Sequence, residues 1–157
     1  MNKQKIVAPD AESIRIALDQ AWRDHQHTRS QTWKALQMEF FLAAGLIGVE
    51  WQIQNAYATI FAGILVIVTA LCGVQITLHH RNKVELTKFK HIENCEKALG
   101  LYRPDLIGEV GQPAPISWLD AFRPWKSNTA IFVLRMHMAL LVFAGVFVIW
   151  RVMTHYW

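Results

Sequence analysis

Proline, glycine and cysteine are all scarce in this chain. Its 157 residues hold five prolines, eight glycines and two cysteines. No proline or glycine falls between Asp10 and Gly45, and none between Gly73 and Gly100. Helix breakers are therefore missing from two long stretches, and frequent turns are excluded there. The two cysteines make no disulfide framework. Cys72 falls within an apolar run and Cys95 in a polar helical stretch, and neither has metal-ligand spacing. His25 and His27 are two apart and point away from each other on a helix, and adjacent His79 and His80 are equally poor as joint ligands. No GxSxG, HExxH, Walker loop or CxxC occurs, so neither an enzyme nor a bound cofactor is expected. No nucleic-acid-binding motif occurs either, and no nucleic-acid partner is expected. The first 34 residues lack an apolar run of signal-peptide type, so the first span is expected to be internal and retained.

Charge is also missing, locally. Ala56–Leu78 runs 23 residues without a charged side chain. A spanning helix needs about 20 apolar residues. The whole chain is 53% hydrophobic, with a mean hydropathy of +0.17, high for a soluble domain. Two further runs flank the first. Ala130–Trp150 has the length but carries Arg135 and His137 near its start. Ala35–Val49 is shorter and contains Gln37 and Glu39; the polar hexamer EWQIQN that follows suits a tight turn at a membrane surface. Spans are expected over 33–51, 56–78 and 130–151.

Lysine and arginine set the orientation. Residues 1–34 hold six and residues 79–128 hold eight, whereas 51–55 hold none. Both polar segments should face the cytoplasm, with the C-terminus on the periplasmic side; Arg151 alone argues mildly against this. The net charge of +4 then reflects topology and suits anionic lipid headgroups. Of seven tryptophans, Trp33, Trp51, Trp125, Trp150 and Trp157 lie near expected span ends, an aromatic-belt pattern.

The polar segments read as helices with one interruption. Over 1–32, Asp10 can cap a helix on which Ile14, Leu18, Ala21 and Trp22 form one apolar stripe. Over 79–101, Val84, Phe89, Ile92, Cys95 and Leu99 form another, ended by Gly100. This second helix should continue the span before it as one rod, with His79, His80 and Arg81 at the cytoplasmic mouth. Residues 102–128 are rich in Pro and Gly and read as an irregular interfacial linker, with a short helix at Ser117–Phe122 that Ser117 could cap. The Val84–Leu99 stripe is expected to face a neighbouring copy, because one protomer offers too little cytoplasmic chain to bury both stripes; a closed ring would satisfy them.

Intramembrane charge is costly unless paired or wetted. Glu39 and Arg135 lie at similar depths, with His137 two residues beyond the latter. They either pair between helices or line an aqueous path, unless Arg135 snorkels to the interface. The histidines are interfacial polar residues or a pH-responsive gate.

Several strings stand in a distinctive order: WRDHQHTRSQTWKALQMEFFLAAGLIG, a second span ending HHRNKVE, then HIENCEKALGL, then a third span opening FVLRMH. Over roughly residues 20 to 150 the chain resembles the RipA-type family of small bacterial inner-membrane proteins. That resemblance implies an octameric membrane assembly. A looser likeness is to small pore-forming membrane effectors of antiphage systems, although the Arg–His spacing of HEPN-type ribonucleases is missing here. The expectation is an all-α, three-span inner-membrane protein with cytoplasmic helical extensions, forming a closed homo-oligomeric ring. It would act as a pore, channel or membrane-permeabilising effector. The alternatives are a non-conducting scaffold that holds a cytoplasmic protein partner, and a pH or envelope-stress sensor. Expected partners are further copies of the chain and membrane lipids.

Overall fold

The structure, a computed structural model, describes residues 10–101, 114–125 and 128–156. Most of the expected linker, including Pro104, Gly108, Gly111 and Pro113, lies outside the described residues, as do residues 1–9 of the expected N-terminal helix. Every element among the described residues is helical.

Helix α1, Ala11–Ile53, is 43 residues long. At 1.5 Å per residue it measures about 64 Å, roughly twice a bilayer's hydrocarbon thickness. The sequence explains both ends. Asp10 Oδ1 accepts from the Ser13 N–H at 2.9 Å, and Glu12 lies in the first turn, where negative charge suits the helix dipole. At the other end Gln54 adopts a left-handed conformation, φ 51°, and Asn55 immediately caps the next helix by accepting from Tyr57 and Ala58. The EWQIQN turn is thus closed by two residues.

Helix α2, Ala56–His79, passes through a π-helical turn, His80–Glu85, into α3, Leu86–Ala98. The rod expected from the missing breakers is continuous, but it is not a plain α-helix. The wider turn displaces Arg81 and Asn82 sideways. Asn82 accepts from the Ile116 N–H at 2.8 Å and donates to the Ile116 carbonyl at 2.6 Å, while Arg81 Nε donates to the Ala114 carbonyl. The rod ends where Gly100 takes φ 68°, with Leu101 N–H bonded to Glu96 O and Gly100 N–H to Lys97 O. That double closure needs a residue tolerant of the left-handed region, and glycine supplies it.

A short 3₁₀ helix, Trp118–Phe122, is closed at its start by reciprocal bonds between Ser117 and Asp120. Helix α4, Thr129–Tyr156, then runs back along the bundle. It packs mainly on α2, and α1 covers the groove between them. The core between the three contains Leu36, Ala43 and Leu46 of α1, Val66 and Ala70 of α2, and Val133, Leu140 and Ala144 of α4.

Among the described residues, two helices are long and apolar enough to cross a membrane, Ala56–Ala98 and Thr129–His155. Only 28% and 33% of their most apolar windows are buried within the chain, whereas the core helix of a soluble protein is mostly buried. Phe61, Leu65, Leu71, Val142, Val146 and Ile149 all face outward. Residues 33–51 are helical throughout as part of α1, yet α1 does not reach the same apolarity.

One expectation is corrected. The stripe of Val84, Phe89, Ile92, Cys95 and Leu99 does not present its centre to a neighbouring copy. Helix α3 lies along α1 of the same chain, with Ile92 and Cys95 buried and Val84, Phe89 and Leu99 half-buried. The Phe89 ring meets His25 and Trp22 edge-on, at centroid distances of 4.9 and 6.3 Å. The cause is the length of α1. Because its polar half continues as one helix, the face bearing Ala21, His25 and Thr28 reaches α3 and supplies the second stripe within one protomer. Ile92→Asp should therefore cost on the order of 3 kcal/mol or more by burying an unpaired carboxylate. Hydrogen exchange should show α3 amides losing protection while those of α4 keep theirs; unchanged α3 protection would contradict this packing.

Candidate functional site

Ionisable side chains collect at three levels of the bundle. The deepest level joins three helices. Glu39 of α1 and His137 of α4 are 3% and 0% exposed, and Nδ1 of His137 lies 2.7 Å from Oε2 of Glu39. Gly73 of α2 makes room for them. A methyl group there would overlap Glu39 Oε1 and the His137 ring. Gly73 is five residues from Leu78, so the pair lies about 7.5 Å inside the uncharged run. The other ring nitrogen, His137 Nε2, is buried without a partner. Glu39 also lines a cleft of ≈ 140 Å³ between α1 and α2, together with Met38, Leu42, Cys72 and Gly73.

The histidine therefore replaces the arginine as the partner of Glu39. Arg135 turns the other way. Its Nε donates to the Ala121 carbonyl at 3.0 Å and an Nη to the Arg123 carbonyl at 2.6 Å, so it ties the 3₁₀ helix to α4. The spacing explains the difference. Positions 135 and 137 are two apart and differ by about 200° around a helix, so only one can face α1.

The second level is a cavity of ≈ 170 Å³ at the histidine end of α2. Its walls come from α1, the end of α2, the π turn, α3 and the start of α4, and include His25, Arg29, Thr77, His80, Arg81 and Glu85. Thr32 Oγ donates to the Thr28 carbonyl and therefore accepts from His80 Nδ1, at 3.2 Å. Arg81 pairs with Glu85 at 2.6 Å. His79 is exposed and is not part of the cavity wall. Lys88 donates to the Asp24 carbonyl and to Thr28 Oγ, capping the α1–α3 contact beside His25. Burial pushes the His25 imidazole below its ordinary pKa; nearby Glu85 opposes this, and Arg29, Lys88 and Arg81 reinforce it. His25 is therefore held neutral near pH 7.

The third level is at the opposite end. Thr59 donates to Glu50 at 2.7 Å, and Arg151 lies 3.1 Å from the same carboxylate and donates to the Gln54 carbonyl. Glu50 is eleven residues from Glu39, about 16 Å along α1. Leu46, Val66, Ala70, Leu140 and Ala144 fill the space between these two levels. One chain thus has charge at both ends and an apolar seal between them.

Sequence reasoning singled out Glu39, His137, His80 and Arg81 but not Gly73 or Thr77, and weighed His25 only as one of the histidines. His25 and Thr28 had a signal, since they extend the stripe Ile14, Leu18, Ala21 by steps of four and three. Gly73 had only its place in a small-xxx-small pair with Thr69. Comparison of the chain with protein-family models, with curated proteins and with solved structures finds no match in any of the three.

Gly73→Ala should destabilise the bundle by about 1–3 kcal/mol by overpacking. Glu39→Asp, which shortens the carboxylate's reach, should recover part of that loss. Denaturant titration in detergent would measure both. Equal stability of Gly73→Ala and the parent would mean that the glycine does not admit the pair.

Proposed function

We propose that this is a three-span inner-membrane protein whose copies assemble into a closed ring and act as a pore, channel or membrane-permeabilising effector. In this reading 33–51 is the remaining span, the lysine- and arginine-rich segments lie in the cytoplasm and the C-terminus in the periplasm. The outward face of α1 carries the argument. Along 33–51 it bears Gln37, Ala44 and Gly45 exposed, and Gly48 half-exposed. Nothing lies within 4 Å of a Cβ built at Gly45 or Gly48. An amide in lipid is costly without a hydrogen-bond partner, and small residues let a second helix approach closely. A second copy seated there would meet both needs, and the resemblance to RipA-type proteins suggests eight copies.

Conduction would then run between copies, along α1. The interior of a single copy is closed by the layer of Leu46, Val66, Ala70, Leu140 and Ala144. The Glu39–His137 pair would act as the latch that holds α1 against α2 and α4. The same seal favours a second reading, a ring that does not conduct and serves as a scaffold for a cytoplasmic protein.

Gly45→Leu separates these cases. Its side chain meets nothing within its own chain, so the protomer should fold as before. Purified protein in dye-loaded liposomes should release ions or dye, and Gly45→Leu should reduce both the release and the particle mass by light scattering. A parent assembly that stays large but releases nothing would support the scaffold. Unchanged mass and release in Gly45→Leu would remove α1 from the interface.

A further inference from the structure

Several features of the cavity at the histidine end are unexplained by packing. Two polar side chains in its wall are buried without partners: His25 Nδ1, in a residue 6% exposed, and Thr77 Oγ, in a residue 2% exposed. Buried polar atoms are nearly always satisfied, and each exception calls for a reason. A threonine hydroxyl within a helix ordinarily returns to the carbonyl one turn back, as Thr28, Thr32, Thr69 and Thr87 do here, but Thr77 does not.

Charge at the site is biased. Arg29 and Arg81 line it, and Lys88 adjoins it. Glu85 is the carboxylate in its wall, and Arg81 already holds it. Arg29 is exposed and, among the described residues, bonds through one Nη to Thr129 at 3.5 Å, which leaves further guanidinium donors for a ligand. His80, Arg81 and Glu85 of the π turn all line this one space, and such turns recur at functional sites. The volume, ≈ 170 Å³, suits a small group rather than a nucleotide. Trp33 and Phe89 provide apolar walls beside it.

We propose that this cavity binds a phosphate group, with Arg29, the Thr77 hydroxyl and His25 as its principal contacts and Arg81 and His80 beside them. The tetrahedral anion could arrive free in solution or as the headgroup of an anionic lipid entering past Trp33. Burial is the main cause that holds His25 neutral, and Arg29, Lys88 and Arg81 add to it. A bound anion would oppose these effects and favour a proton on the ring, with Glu85 acting in the same direction as the anion. Binding should therefore be accompanied by proton uptake at His25. Glu85 also opposes the anion directly, so Glu85→Gln should tighten binding.

The test uses the full chain in two kinds of nanodisc, with tryptophan fluorescence and thermal unfolding as readouts. In phosphatidylcholine discs, inorganic phosphate should raise the unfolding midpoint and change the emission of Trp33, which lines the site, and matched chloride should not. If the source is a lipid, phosphatidic acid in the disc should do this and inorganic phosphate should not. Arg29→Gln should weaken binding on the order of tenfold, as expected for loss of a charge-assisted hydrogen bond. Thr77→Val gives the sharper result. Removing an unpartnered hydroxyl should stabilise the ligand-free protein and weaken phosphate binding, two effects that a purely structural threonine would not combine. The proposal is overturned if neither phosphate nor phosphatidic acid shifts the parent protein. It is equally overturned if Arg29→Gln and Thr77→Val respond as the parent does.

Discussion

A carboxylate can enter an apolar helix bundle only with a partner, and the position of that partner then constrains everything around it. Glu39 meets His137 at 2.7 Å, and both are almost wholly buried. The contact fixes the rotation of α1 and α4, because each must aim one polar side chain inward at the same level. It fixes α2 as well, since only a residue without a Cβ can stand opposite the pair. With the rotations set, Leu36, Ala43 and Leu46 fall on the inner face of α1, and Gln37, Ala44 and Gly45 on the outer one. The seal and the outward face of the proposed assembly are thus consequences of one hydrogen bond.

The polar half of the molecule is organised by the same helices beyond the bundle. α1 and the α2–α3 rod both leave it without ending, so their amphipathic faces meet each other. This contact replaces part of what a ring of copies would otherwise have to bury. The π turn lies at the junction, where it connects the rod to residues 114–117 through Asn82 and opens the cavity. Thr77 in the cavity wall and Gly73 beside the pair are one turn apart on α2.

Much of this was legible in the sequence, because the strongest signals were local. The uncharged run, the missing breakers, the Asp10 cap, the Gly100 stop and the Ser117 start each depend on neighbours within a few residues. What failed required knowledge of distance along the chain. Nothing near Ile92 reveals that α1 will lie beside it, so the stripe looked unpartnered. Arg135 looked like the natural partner of Glu39 because charge is visible in a sequence and helix rotation is not. The role of Gly73 follows only once Glu39 and His137 are placed opposite it, and the π turn leaves no mark in HRNKVE that an ordinary helix would lack.

The account depends on Glu39 and His137 being one interaction rather than two buried polar groups. A double-mutant cycle with Glu39→Leu and His137→Leu, read by denaturant unfolding in detergent, tests this most directly. Each single change leaves the other group buried and unpartnered, and the loss for His137→Leu should be the larger, about 3–5 kcal/mol. The double variant, apolar at both positions, should be more stable than His137→Leu alone. If the two losses simply add, the pair is not the fixed point of the fold.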